Sequence, residues 1–213
     1  MSASLTDREQ RLSARPEVEA RAVAALLSCV ARQGLRKTTL DDVAREAGCG
    51  RATLYRYFAS KQALLSAAGH TEATRIVAAL RDAAAATDTL EDAVVALLVT
   101  AGVELGAHPA LRFVADFEPD WLLPHLAFAG GDRFLAAAAD ALAPAVERFV
   151  GADDAIRAGE WIARVGLCLL CSPVSPVSPV ALGDDASVRG YAREFIVPAL
   201  DPLSARSPAP TRR

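Results

Sequence analysis

The chain has 213 residues, 52% hydrophobic and 23% charged, with 12 prolines and 13 glycines. At roughly 100–200 residues per domain this means one large domain or two small ones, and the composition excludes a disordered, collagenous or low-complexity protein. The net charge of −3 conceals an asymmetry: residues 1–70 carry 11 Lys+Arg against 7 Asp+Glu, whereas the remainder carries 12 against 19. A basic head on an acidic body is the pattern of a chain whose one end meets a polyanion.

The longest apolar stretch, 93–103, is interrupted by Thr100 and ended by Glu104, short of the roughly 20 residues that span a bilayer. Polar residues 7–11 stand where the apolar core of a secretory signal would begin, so the expectation is a soluble cytoplasmic protein. In that compartment the four cysteines, at 29, 49, 168 and 171, are expected to be free. Cys168 and Cys171 form a C-x-x-C with no second pair of ligands nearby, so zinc is not expected and they read as small buried hydrophobes. No metal or cofactor is expected.

In chain order, residues 1–15 lack periodicity and read as a mobile arm. Apolar positions at 18, 22, 26 and 29/30 predict a helix that stops at Gly34. Thr39 precedes a short helical period (Leu40, Val43, Ala44, Ala47) ended by Gly48, and a second short period follows with Leu54, Tyr55 and Phe58 on one side. Ser60 is an N-cap candidate for a long helix running to the alanines at 83–86.

Further helices are expected over 88–105 and over 109–126, the latter broken by Pro119 and Pro124. The next, 132–150, is expected to kink at Pro144, and 153–171 opens on two Asp that suit the helix dipole. Residues 173–180 form a period-three Pro-Val-Ser linker, a last helix covers 186–200, and 201–213 is a Pro/Ser/Arg tail. No segment alternates with period two, so the fold class is all-α.

Residues 38–61 carry the chemistry. They describe helix, tight turn, helix, with Gly48 supplying the left-handed residue that ends the first helix. Ala44 and Ala47 are small where two helices cross, and Val43 and Leu54 are placed to pack across the turn. Such a unit admits its second helix to a major groove about 12 Å wide. Arg51 sits in the first turn of that helix, where the dipole disfavours a cation. Arg51, Thr53, Arg56 and the tyrosines then face bases and phosphates, or else form a solvated helix end with half-buried tyrosines.

The run resembles the helix-turn-helix of TetR-type transcriptional regulators, in a Thr-initiated helix (Thr39), an Ala47-Gly48 turn, Leu54-Tyr55-Arg56-Tyr57-Phe58 and Ser60-Lys61. The likeness covers about residues 17–70. It implies an N-terminal three-helix DNA-binding domain over 16–62, followed over 63–200 by a helical ligand-binding and dimerisation domain. It implies that Thr38 or Thr39 and Lys61 hold phosphates, that Tyr55 and Tyr57 add backbone contacts, and that Arg51, Ala52, Thr53 and Arg56 face base edges. Gly50 departs from the Ser or Thr that commonly caps the recognition helix, and Tyr57 from a frequent His.

In such regulators the C-terminal helices form a ligand pocket and a homodimer interface. Phe113, Phe117, Trp121, His125, Phe128, Phe134 and, later, Trp161 are candidate pocket residues for an unknown small lipophilic effector, or core. Helices 153–171 and 186–200 have apolar faces wide enough for a second copy, with Gly159 and Gly166 permitting close approach, or else they pair internally. The expected function is a ligand-responsive regulator, most consistent with a repressor, that binds a palindromic DNA operator as a dimer. The alternative is a helical small-molecule-binding protein without operator binding. An enzyme is not expected: no G-x-S-x-G occurs, Gly48-x-Gly50 lacks the third glycine and the strand of a dinucleotide loop, and His70, His108 and His125 have no nucleophile setting.

Overall fold

A computed structural model of the protein describes residues 15–126, 128–171 and 180–204. The expected arm lies outside the described residues except for Arg15, as do nearly all of the Pro-Val-Ser linker and the tail beyond Ser204. Every regular element among the described residues is helical, in keeping with the all-α expectation: α1 Arg15–Gln33, α2 Leu40–Glu46, α3 Arg51–Tyr57, α4 Lys61–Ala85, α5 Leu90–Gly106, α6 Pro109–Phe117, α7 Pro119–Leu126, α8 Phe128–Val150, α9 Ala152–Cys171, α10 Asp185–Tyr191 and α11 Val197–Ser204, the last two joined by a π-turn, Ala192–Ile196.

The chain divides into two compact units. One gathers the described residues up to Ala73 together with His108–Pro119, and the other gathers Thr74–Ala107 and the described residues from Asp120 on. This compact unit runs past the boundary expected at 62/63, taking in the first half of α4 and all of α6. Within it α6 lies along α1. Its core is Leu26 and Val30 from α1, Val43 and Ala44 from α2, Leu54 and Phe58 around α3, Leu64 from α4, and Ala110 and Val114 from α6, all buried. A bidentate pair from Arg32 to Glu46, at 3.0 and 2.8 Å, fixes α1 to α2 at the surface.

The second unit is built on α5, whose Ala93, Val94, Val95, Leu97 and Leu98 are all buried. Thr89 caps α5 by accepting the Asp92 N–H at 3.1 Å. The apolar run in its first half is enclosed, and Leu80, Val146, Ile162, Val188 and Ile196 share its core. Arg189 and Arg193 tie the last helices to the start of α5 through Asp92, at 2.6 Å, and Glu91, at 2.7 Å. Among the described residues, no single helix is long and apolar enough to cross a membrane.

Several expectations are corrected. The break between α6 and α7 falls at Glu118, and α7 continues through Pro124 as a single element; Pro144 lies inside α8, where the sequence placed it. The last helix begins at Asp185 and widens into the π-turn, where the Val197 N–H bonds the Ala192 carbonyl. Pro198 follows immediately and has no N–H for the Glu194 carbonyl, and a widened turn is one way a helix accommodates that loss. Cys168 and Cys171 are exposed rather than buried; they occupy the last turn of α9, where apolar flanking residues no longer imply enclosure.

Gly159 and Gly166 pack against the chain's own helices. A Cβ on Gly159 would stand 2.8 Å from the Ala139 carbonyl oxygen and 3.1 Å from the Ala143 nitrogen of α8, and one on Gly166 would stand 3.2 Å from Leu98 Cδ2. The α8–α9 hairpin turns at Gly151 (φ +83°) and closes on this small-residue crossing. Gly159→Val is expected to force the pair apart and to cost about 1–3 kcal/mol, as overpacking does, seen as a lowered urea midpoint. An unchanged midpoint would show that the crossing is slack.

Candidate nucleic-acid interface

The entry to α2 is fixed by sequence-local chemistry. Thr39 adopts an extended conformation and its hydroxyl oxygen accepts the Asp42 N–H at 3.2 Å, while Asp42 Oδ2 accepts the Thr39 N–H at 3.0 Å and the Thr39 hydroxyl at 2.6 Å. This is a capping box with Asp in the role of Glu or Gln. The Thr39 hydroxyl, its amide and Arg45 together hold the Asp42 carboxyl below its ordinary range.

The exit from α2 is equally determined. Gly48 has φ +64°, its N–H donates to the Arg45 carbonyl at 3.2 Å, and the Cys49 N–H donates to the Ala44 carbonyl at 3.0 Å. These are the two bonds of a Schellman termination, and they need a residue comfortable at positive φ. Gly50 caps α3 in an ordinary extended conformation with no side-chain bond.

The seven residues of α3 then sort by side. Leu54 is fully buried, Thr53 and Tyr57 are half-buried, and Arg51, Ala52, Tyr55 and Arg56 are exposed. The exposed four fall at i, i+1, i+4 and i+5, which is one helix face. Arg51 Nη1 lies 3.0 Å from Asp41 Oδ2, and its guanidinium stands 5.3 Å from the Tyr55 ring centroid. Arg56 stands 5.2 Å from the centre of the Tyr57 ring. Asp41 answers the question that Arg51 raised in the sequence, because it supplies the negative charge that a first-turn cation lacks. Both partners are solvent-exposed, so the pair is weakly held and opens readily.

The two threonines separate. Thr39 is exposed, whereas Thr38 is 1% exposed and its hydroxyl donates to the Gly34 carbonyl at 2.7 Å. Of the two, Thr39 is the one that presents its side chain at the surface. Lys61, at the start of α4, is half-buried and its Nζ donates to the Leu35 carbonyl. Burial pushes its ammonium below the usual lysine range, with the Glu118 carboxylate opposing that shift. The family resemblance implied a phosphate role for Lys61, and its ammonium here lies on the Leu35 carbonyl.

The aromatic candidates do not fall in one compact unit. Phe113 and Phe117, with ring centroids 4.9 Å apart, belong to the first, where Phe113 is half-buried and Phe117 is 71% exposed. Trp121, Phe134 and Trp161 belong to the second; Trp121 is half-buried, Phe134 is 37% and Trp161 39% exposed. His125 and Phe128 lie outside the residues whose side chains are described. Sequence reasoning missed Asp41 and Glu118. Asp41 was legible only as an acidic helix start, and Glu118 lies more than 80 residues from the amides it binds, a separation that no periodicity reports.

The helix-turn-helix coincides with a sequence-family match: residues 22–68 fit the model for bacterial regulatory proteins of the tetR family. Two HTH-type transcriptional regulators of Mycobacterium tuberculosis, from strains CDC 1551 / Oshkosh and ATCC 25618 / H37Rv, are each 33% identical over 175 residues, covering 78% of this chain and 77% of the relative. The chain belongs to the tetR family of transcriptional regulators. This regulator carries a DNA-binding helix-turn-helix and is not an enzyme.

Solved structures share its fold. The TetR family repressor AlkX from Dietzia sp. strain DQ12-45-1b, implicated in biodegradation of n-alkanes, superposes with a TM-score of 0.63 at 22% identity, covering 86% of this chain and 95% of that one. FadR from Bacillus subtilis in complex with stearoyl-CoA does so with a TM-score of 0.60 at 14% identity, covering 81% and 96%.

Thr39→Ala removes the capping box and is expected to cost about 0.5–2 kcal/mol of stability, read from urea unfolding. Because the Asp42 carboxyl titrates lower when folded, its contribution is present above the ordinary Asp value of about 3.9 and fades as pH falls through the depressed one. Amide exchange of α2 should accelerate in that acidic window in the wild type and show no such step in Asp42→Asn.

Proposed function

We propose that this regulator is a ligand-released repressor that holds a palindromic operator as a homodimer. The observation that carries the DNA-binding half is the outer face of α3, where Arg51, Ala52, Tyr55 and Arg56 stand together beyond a Schellman turn. Arg51 leaves Asp41 for a base edge, Arg56, Ala52 and Thr53 complete the base-facing set, and Thr39, Tyr55 and Tyr57 hold the phosphate backbone. Each chain offers one recognition helix, so two copies read half-sites roughly 34–36 Å apart or a multiple of that.

The second copy is proposed to dock on residues 153–171 and 186–200, as the sequence suggested. Ile156 (54%), Leu170 (43%) and Phe195 (51%) are apolar side chains left exposed there, and exposed apolar area of this kind marks association surfaces. The effector is proposed to be a molecule with a long acyl or alkyl chain. Support comes from the likeness to a FadR that binds stearoyl-CoA and to an AlkX implicated in n-alkane biodegradation. Trp121, Phe134 and Trp161 are large partly exposed rings in the second unit and are its proposed contacts, with His125 and Phe128 in the same stretch of sequence. Release requires only that the effector prefer the DNA-incompetent form: a tenfold shift needs about 1.4 kcal/mol of difference.

Selection from random DNA should yield a two-fold symmetric site whose affinity falls with salt at a log–log slope near −5 to −9, from about three to five phosphates per protomer. Arg51→Ala should relax base preference at particular positions by about 1–3 kcal/mol each; unchanged preference would remove it from the base-reading set. A footprint without a dyad, or a monomer in sedimentation equilibrium, would overturn the dimer.

Stearoyl-CoA, stearic acid and n-octadecane, titrated separately against the operator complex, are expected to include one that raises the operator Kd at least about tenfold. If none of the three releases DNA, the lipophilic effector is overturned.

A further inference from the structure

The segment that delivers Thr39 to the surface is the turn 34–38 between α1 and α2. Gly34, at φ +83°, closes α1 by donating to the Val30 carbonyl at 2.9 Å, and the Thr38 N–H returns to the Gly34 carbonyl at 3.3 Å. Between these bonds, the Leu35 and Arg36 amides are received by one side chain from far along the sequence. Glu118 Oε2 accepts the Leu35 N–H at 2.7 Å and Oε1 accepts the Arg36 N–H at 3.0 Å. Glu118 is the C-cap of α6 and is 7% exposed. Lys61 completes the arrangement by donating to the Leu35 carbonyl.

Packing leaves this turn little freedom. A Cβ on Gly34 would lie 2.6 Å from Phe113 Cε1 and 2.9 Å from Glu118 Oε1. The helix that carries Glu118 is itself held at its far end. His108 is 9% exposed, its Nδ1 accepts the Leu111 N–H at 3.2 Å, and its Nε2, which therefore carries the proton, lies 3.4 Å from Glu72 Oε2 on α4. A carboxylate offers two acceptor oxygens to two amides. Glutamine of the same length serves one amide and turns an NH2 towards the other.

We propose that Glu118 is a positioning residue for DNA binding. Its carboxylate on the Leu35 and Arg36 amides, with Lys61 on the Leu35 carbonyl, sets the turn that presents Thr39 and α2 to the duplex, so Lys61 acts on the turn and not on a phosphate. This rests on the reading that α2 and α3 meet DNA. Of the three restraints on the turn, two come from the Glu118 carboxylate and one from Lys61.

The test uses the full-length chain and a duplex enriched from random DNA by the wild type, with Kd measured across a series of KCl concentrations and amide exchange followed by NMR. Glu118→Gln is expected to retain its helical circular dichroism, to speed exchange at Leu35 and Arg36, and to raise Kd about tenfold, as one buried amide loses its acceptor. The salt slope should stay at the wild-type value. Lys61→Met is expected to raise Kd several-fold, again with an unchanged slope. A Lys61→Met slope flattened by about 1 per protomer would identify a phosphate contact and overturn the assignment. Glu118→Gln with faster exchange and an unaltered Kd would make the carboxylate a stability device only, and would also overturn it. Should Glu118→Gln fail to fold, the Lys61→Met slope and Kd decide alone. A wild type that enriches no duplex would overturn the DNA-binding reading itself, a failure seen before any variant is made.

Discussion

A backbone amide at a helix end must find an acceptor, and the first unit is organised by how that requirement is met at three points. Between α1 and α2 the acceptor is the distant Glu118 carboxylate; at the start of α2 it is the Thr39–Asp42 box; between α2 and α3 it is the backbone of α2 itself, reached because Gly48 turns left-handed. With only seven residues and Leu54 as its one buried side chain, α3 has little means of fixing its own pose. Helices this short owe their stability to tertiary packing rather than to propensity. The pose of α3 is therefore inherited from the connections before it.

Charge follows the same division of labour. Arg51, Arg56 and Arg45 project from the helix-turn-helix into solvent. In the second unit Glu91 and Asp92 engage Arg189 and Arg193, and Glu104 engages Arg75. Part of the acidity of the body thus serves its own helix ends and crossings. The basic face stays open to a polyanion because Asp41 balances Arg51 from the surface, at a pair that opens readily.

What the sequence made legible was what local rules determine. The all-helical character, the Gly34 and Gly48 stops and the Thr39 cap each follow from side chains within a few residues of the feature. Ser60 likewise caps α4 by accepting the Ala63 N–H at 3.1 Å. The misjudged features depend on partners far apart in the chain. Gly159 looked available to a second copy because nothing near it in sequence reveals the α8 backbone lying against it. The Leu35 carbonyl that Lys61 binds was hidden in the same way, because the motif that carries Lys61 is local. Cys168 and Cys171 looked buried because hydropathy records neighbours along the chain and not the end of a helix. For Pro124, helix propensity named the cost, and α7 nevertheless runs through it.

The first unit is discontinuous: α6 is encoded after a long excursion into the second, and its chain neighbours Ala107 and Asp120 both belong there. During synthesis, α1 to α3 emerge first, with the Leu35 and Arg36 amides still lacking the carboxylate that receives them. Translation proceeds at about 5–20 residues per second, so the nascent helix-turn-helix waits several seconds for Glu118, with the α1 surface that α6 will cover still exposed to water. A fragment ending near Ala73 would remain in that unfinished state permanently. The packing around the helix-turn-helix is thus completed by residues made long after it.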